Sequence, residues 1–248
     1  MAPNSLDTQP HHPLYLNLQM ESHMLLPEEK SNAEGGKTTP QTKRKWEGAE
    51  GAVSAWVMSN PLIRKIVMLF VGDYVSTFRK AFVARVSGAE TVLDVGSGSG
   101  FFSILVARRL KHGNVICLDR SNAMLSRLAK QAKRKGLVRK IHPVQSDASA
   151  LAVKSASVDV VITNFVLHEL PNPKKALLEM ARVIRTGGTL IITDFAPGSW
   201  IAQHITSAHG QACKLFTPNQ LKRLLTDVGF VVDAAIRQRN FIFALCRK

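Results

Sequence analysis

Residues 91–100 read Thr-Val-Leu-Asp-Val-Gly-Ser-Gly-Ser-Gly, and no other stretch of this 248-residue chain constrains its fold as tightly. Val92, Leu93 and Val95 form a short apolar run of the kind that makes a buried strand. The run breaks into Gly96, Gly98 and Gly100. Residues 101–111 then carry apolar side chains at Phe102, Leu105, Val106 and Leu110, which is helical spacing. Strand, glycine turn and helix in that order open a nucleotide-binding α/β unit. Glycine lets the backbone turn tightly and approach a ligand where a Cβ would collide. The helix N-terminus brings free N–H groups and positive dipole to the same point. A glycine-rich turn without a ligand is the plainer alternative.

The spacing departs from the dinucleotide fingerprint Gly-x-Gly-x-x-Gly. The third glycine comes one residue early, and Phe101 stands where that fingerprint needs glycine. Asp94 precedes the first glycine by two positions. A carboxylate there repels a pyrophosphate and suits a ligand with a cationic end. Residues 115–118 read as a second strand ending in Asp119, placed to accept hydrogen bonds from both hydroxyls of a ribose. NAD proteins use an acid in the same way, so Asp119 alone does not discriminate. Residues 141–144 read as a third strand, followed by Gln145-Ser146-Asp147-Ala148. Residues 158–163 read as a fourth, continuing into Asn164-Phe165-Val166-Leu167-His168-Glu169-Leu170. Residues 173–184 form an amphipathic helix ending at Gly187-Gly188, and 189–193 form a fifth strand. Thr217-Pro218-Asn219-Gln220 is a capping box with proline at the first helical position, and its helix stops at Gly229. Residues 230–235 and 241–246 supply two last strands.

Asp94-x-Gly96-x-Gly98-x-Gly100 after a strand resembles the first motif of class I S-adenosylmethionine-dependent methyltransferases. The later segments continue the resemblance over residues 88–248. It implies an α/β fold: a Rossmann-like, seven-stranded, mostly parallel sheet with an antiparallel last strand and helices on both faces. It implies S-adenosylmethionine as cofactor, which carries an ammonium and a sulfonium and no phosphate. In that family the loop of Gly96, Ser97, Gly98 and Gly100 wraps the methionine portion, and Asp94 helps place its amino group. Asp119, with Arg120 beside it, takes the ribose. Asp147 accepts from the adenine amino group and Ala148 offers its backbone N–H to the ring. Asn164 borders the cofactor at the end of the fourth strand. Each acid also has a plainer role: Asp94 capping the next turn, Asp119 capping the helix at Ser121 and Asn122, Asp147 capping residues 148–153.

The segment from Asn164 to Leu170 resembles the strand end of the subgroup acting on small molecules, quinones and lipids. The implied reaction is methyl transfer by in-line displacement to such an acceptor. The sulfonium methyl is already activated, so alignment and exclusion of water supply most of the effect. If the acceptor must lose a proton, His168 is the first candidate and His204 the second. A packed, hydrogen-bonded His168 is the plainer reading. Asn164-Phe165-Val166-Leu167 lacks the Asn/Asp-Pro-Pro-Tyr/Phe pattern of enzymes that grip a planar amide or amino group. An RNA or protein methyltransferase using the basic surface is the runner-up. An NAD(P)-dependent oxidoreductase is opposed by Asp94 and the displaced glycine. A non-catalytic cofactor-binding scaffold is the remaining reading.

Charge supplies the case for the runner-up. From Gly51 onward there are 28 Lys and Arg against 11 Asp and Glu, and residues 108–140 hold 11 basic residues and one acid, Asp119. Such a run suits RNA or an anionic membrane surface, or it is a solvated helix face. No aromatics interleave, so base stacking is not supported. Residues 1–48 read as a disordered tail. Residues 49–87 read as a helical segment, either a roof over the acceptor site or an ordinary packing helix; residues 196–216, which hold Trp200, His204, His209 and Cys213, are the second candidate roof. No apolar run reaches membrane-spanning length. The three cysteines form neither a metal nor a disulfide pattern, so a cytoplasmic, metal-free protein is expected.

Overall fold

Near-continuous burial along the central strands, with amphipathic helices between them, builds a sheet covered on both faces. The computed structural model describes residues 74–199, 202 and 213–248. The expected tail (1–48), residues 49–73 of the expected roof, and Trp200, His204 and His209 lie outside the described residues.

Five strands run parallel: β1 (Thr91–Val95), β2 (Asn114–Asp119), β3 (Ile141–Gln145), β4 (Val158–Asn164) and β5 (Ile184–Phe195). With β6 (Val231–Gln238) and β7 (Phe241–Arg247) they form a seven-stranded sheet of order β3-β2-β1-β4-β5-β7-β6. β7 pairs antiparallel with both β5 and β6, so it alone opposes the rest. This is the Rossmann-like sheet with an antiparallel last strand that the sequence resemblance implies. The helices are α1 (Tyr74–Val83), α2 (Phe101–Ala107), α3 (Asn122–Arg134), α4 (Pro173–Val183) and α5 (Pro218–Asp227).

Successive strand residues point to opposite faces, so each strand feeds two cores. Leu93, Leu118, Val161 and Leu190 meet Leu177 and Met180 of α4 and Leu221 and Leu225 of α5. Their neighbours Val92, Cys117, Ile162 and Ile191 face Tyr74, Phe78 and Phe82 of α1, with Phe102 of α2 and Leu125 and Leu128 of α3. Each fully buried Leu or Ile contributes roughly 1.5–3 kcal/mol.

Two boundaries differ from the sequence expectation. The helix expected over 101–111 ends at Ala107, although Leu110 is still buried. The glycine pair expected to stop α4 lies inside β5 instead. Ile184 already pairs with Val158 in the parallel ladder, and this pairing ends the helix before Gly187 is reached. The capping box is present in full: Thr217 Oγ1 accepts from the Gln220 N–H, and Gln220 Oε1 accepts from the Thr217 N–H.

Topology sorts the polar segments between two edges. The glycine loop, Asp119, Asn164 and Phe195 all follow strand ends at the carboxyl edge. Residues 108–113 and 135–140 join helix ends to strand starts, which puts them at the amino edge. There Arg108, Arg109, Lys111, Lys133, Arg134, Lys135 and Arg139 are exposed, and Lys140 Nζ donates to the Leu110 carbonyl across the two connections.

Candidate functional site

The glycine loop is fixed from below and open above. The Gly96 and Ser97 N–H groups donate to the Leu118 carbonyl at 2.8 and 2.9 Å, which carries the chain from β1 over β2. All three glycines have positive φ: 73° at Gly96, 52° at Gly98 and 88° at Gly100. Their surroundings differ. A Cβ on Gly96 would collide with Val166, and one on Gly100 with Leu128. At Gly98 it would meet nothing within 4 Å, so this glycine borders open space. Two glycines therefore serve packing, and the middle one leaves room for a ligand.

The acids are arranged in depth. Asp94 is 2% exposed and accepts from Ser103 Oγ at 2.6 Å, tying β1 to the first turn of α2. Burial raises its pKa to about 7, against the Ser103 hydrogen bond, with the nearby Asp119 charge adding to the rise. Asp119 accepts the Gly98 N–H at Oδ2 and the Ser121 N–H at Oδ1, both at 2.8 Å. Burial raises its pKa despite those bonds. It thus holds the glycine loop and the start of α3 together. Asp147 Oδ1 accepts from the N–H and hydroxyl of Ser149 at 2.8 and 2.7 Å, the turn-capping geometry expected as its plainer role. Its Oδ2 lies 3.6 Å from Arg120 Nε, and Ala148 behind it is buried.

At the exit of β4 the side chain of Asn164 is 8% exposed, and neither of its amide atoms has a hydrogen-bond partner. Ser97 Oγ is likewise buried and unpartnered. Such groups cost about 1–3 kcal/mol each unless something satisfies them. Phe165 follows with φ 61°, uncommon for a bulky residue, held by its N–H to the Thr193 carbonyl at 2.8 Å. It centres an aromatic cluster: ring centroids lie 5.2 Å away for Tyr74, 4.7 Å for Phe195 and 5.6 Å for Phe241. His168, four residues beyond Asn164, is buried and bonded through Nδ1 to Asp194 Oδ1 at 2.7 Å. Burial opposes the charged ring. Hydrogen bonds to Asp194 and Glu169, with their negative charge, outweigh it and raise the pKa to about 9. The raised pKa favours the charged ring, the form that pairs with Asp194.

These observations fit S-adenosylmethionine. Asp94 and Asp119 lie against the loop, acids that suit a cation and disfavour a phosphate. Open space over Gly98 and orphaned groups at Ser97 and Asn164 offer a cradle and hydrogen-bonding capacity. Among the described residues, no group of three His, Cys, Asp or Glu side chains converges as a metal site.

Sequence reasoning missed Asp194, Glu169, Ser103 and the aromatic cluster. Asp194 carried a signal, since it ends an apolar strand at the edge where ligands bind. The cluster carried none, because its members come from four separate segments.

The family follows from these features and from comparison with known proteins. The family model described as a methyltransferase domain matches residues 87–229. The chain belongs to that family, and its fold and loop make it a class I S-adenosylmethionine-dependent member. It is 32% identical over 164 residues to an uncharacterized chloroplastic methyltransferase of Arabidopsis thaliana, covering 63% of this chain and 47% of that protein. It is 33% identical over 121 residues to the ubiquinone/menaquinone biosynthesis C-methyltransferase UbiE of Vibrio campbellii, covering 47% of each. The chain thus spans about half the length of these curated relatives. A SAM-dependent methyltransferase from Aquifex aeolicus has the same fold, with a TM-score of 0.63 at 19% identity, covering 79% of this chain and 97% of that one.

Proposed function

We propose that the protein transfers the methyl group of S-adenosylmethionine, by in-line displacement, to a small quinone-like or lipid-like acceptor. The observation that carries this is the aromatic cluster of Tyr74, Phe165, Phe195 and Phe241 at the carboxyl edge, beside the orphaned amide of Asn164. Tyr74 and Phe241 are buried in the core beneath, and the half-buried rings of Phe165 and Phe195 offer an apolar surface that suits an apolar ring or chain carrying one polar substituent. The glycine loop, Asp119, Arg120, Asp147, Ala148 and Asn164 hold the cofactor in this reading. The protein's contribution is alignment and exclusion of water. His168 lies next to Phe195, with ring centroids 5.1 Å apart, and borders the acceptor side. His204 keeps its place as a second candidate. The quinone methyltransferase named among the relatives supports the same acceptor class.

An RNA or protein acceptor draws its support from the basic run at 108–140. Most of that run lies at the amino edge, while the cofactor loop lies at the carboxyl edge, so the charges do not line a track to the methyl group.

The test is to incubate purified protein and host-cell extract with methyl-labelled S-adenosylmethionine, then separate RNA, protein, lipid and small-molecule fractions. Label in the lipid or small-molecule fraction is expected. Label confined to RNA or protein would overturn the reading in favour of its rival.

A further inference from the structure

A buried line of three titratable groups stands at the exit of β4. Asp194, at the end of β5, holds His168 twice. Its Oδ2 accepts the His168 backbone N–H at 3.0 Å, and its Oδ1 lies 2.7 Å from Nδ1 of the ring. The Phe195 N–H also donates to Oδ1, at 2.8 Å, fixing the carboxylate. On the far side of the ring, Glu169 Oε1 lies 3.6 Å from Nε2. Carboxylate, imidazole and carboxylate therefore stand in series.

Exposure separates their roles. The side chains of His168 and Asp194 are 3% and 2% exposed, and that of Glu169 is 27% exposed. Of the three, Glu169 is the one a ligand can reach. Its charge reaches Asp119 of β2 and Cys213 in the segment before α5. That segment is tied here as well: the Lys214 N–H donates to the His168 carbonyl at 3.0 Å. Burying Asp194 is costly unless it is paired, and the imidazolium supplies that pair.

We infer that Glu169 is the residue that meets the acceptor, with His168 and Asp194 as positioning residues behind it. This rests on the small-acceptor reading above. As the acceptor atom attacks the methyl carbon, its proton passes to a Glu169 carboxylate oxygen. The carbon–sulfur bond breaks and its electron pair stays on sulfur. Glu169 then releases the proton to solvent through its exposed side. His168 keeps its own proton throughout and holds Glu169 in line. Among the described residues, the charged groups against His168 are Asp194 from β5 and Glu169 from its own turn; Lys214 before α5 touches it through its backbone N–H, Cys213 lies near both acids, and Asp119 lies within reach of the Glu169 charge.

The test uses the full chain and its Glu169→Gln and Asp194→Asn variants. Cofactor affinity is measured by calorimetry, turnover against pH with a short-chain naphthoquinol as probe, and His168 titration by ¹⁵N NMR without cofactor. Glu169→Gln is expected to keep the cofactor Kd within threefold and to lower kcat at least ~100-fold, the low end of general-base effects. The wild-type rate is expected to fall above about pH 9 as His168 loses its proton. Asp194→Asn moves that fall, and the NMR titration, to lower pH, which a merely structural role would not do. A wild-type rate climbing through pH 9 would make His168 the base and overturn the inference, as would an unchanged kcat in Glu169→Gln. If the wild type methylates no small acceptor, the small-acceptor reading fails. The NMR arm still decides the line of groups: a His168 titration unmoved by Glu169→Gln overturns it.

Discussion

Gly96 of the cofactor loop and Val166 of the β4 exit are packed so closely that a β-carbon on the glycine would collide with the valine side chain. The glycine loop and the β4 exit, the proposed cofactor and acceptor sides, are therefore one packed unit. Gly96→Ala should disturb both, through the collision and through a φ of 73° that alanine adopts poorly. Gly98→Ala meets no neighbour within 4 Å and pays only the backbone cost. The expected outcome is a clear fall in melting temperature for Gly96→Ala, and for Gly98→Ala a smaller fall with a large loss of cofactor affinity. Equal losses of stability would show that Gly98 is not the ligand-facing glycine.

Asp119 holds the Gly98 and Ser121 N–H groups, and in the proposed reading it also takes the ribose. Asp119→Ala should weaken cofactor binding at least tenfold, about 1.4 kcal/mol, because two ribose hydroxyls lose their acceptor. Calorimetric titration with S-adenosylmethionine checks this. Unchanged affinity would remove Asp119 from the site.

His168 has a folded-state pKa of about 9, above its ordinary 6.5. Because the folded form holds the proton more tightly, this contribution is complete below about pH 6.5 and is lost as pH rises through about 9. Its upper bound is on the order of 3 kcal/mol. Wild-type stability to urea should therefore decline between pH 7 and 10, and His168→Gln should flatten that decline. A parallel decline in both proteins would assign the alkaline loss to other groups.

Thr217 closes the capping box of α5, remote in sequence from every site residue. Thr217→Ala should cost about 1 kcal/mol of stability, the usual value of an N-cap. Cofactor affinity should be unchanged. A drop in affinity would show that α5 communicates with the carboxyl edge.

Much of the cofactor side was legible in the residues themselves. Gly96, Gly98, Gly100, the strand before them and the helix after them are dictated by local sterics and by periodicity within a few residues. The same holds for the Thr217–Gln220 box, whose two hydrogen bonds span three positions. Boundaries were less legible where pairing competed with local preference, as at Ile184, which leaves α4 to join Val158 in the sheet.

The acceptor side was decided by tertiary structure. Asp194 lies 26 residues beyond His168 in sequence, and only the adjacency of β4 and β5 brings their side chains within 2.7 Å. Tyr74, Phe165, Phe195 and Phe241 become one cluster because strand order, not spacing, sets which ends share an edge. The basic run of 108–140 was visible as charge from the sequence alone. That most of it faces away from the cofactor follows from parallel strands, whose connections return to the amino edge while ligands meet the carboxyl edge.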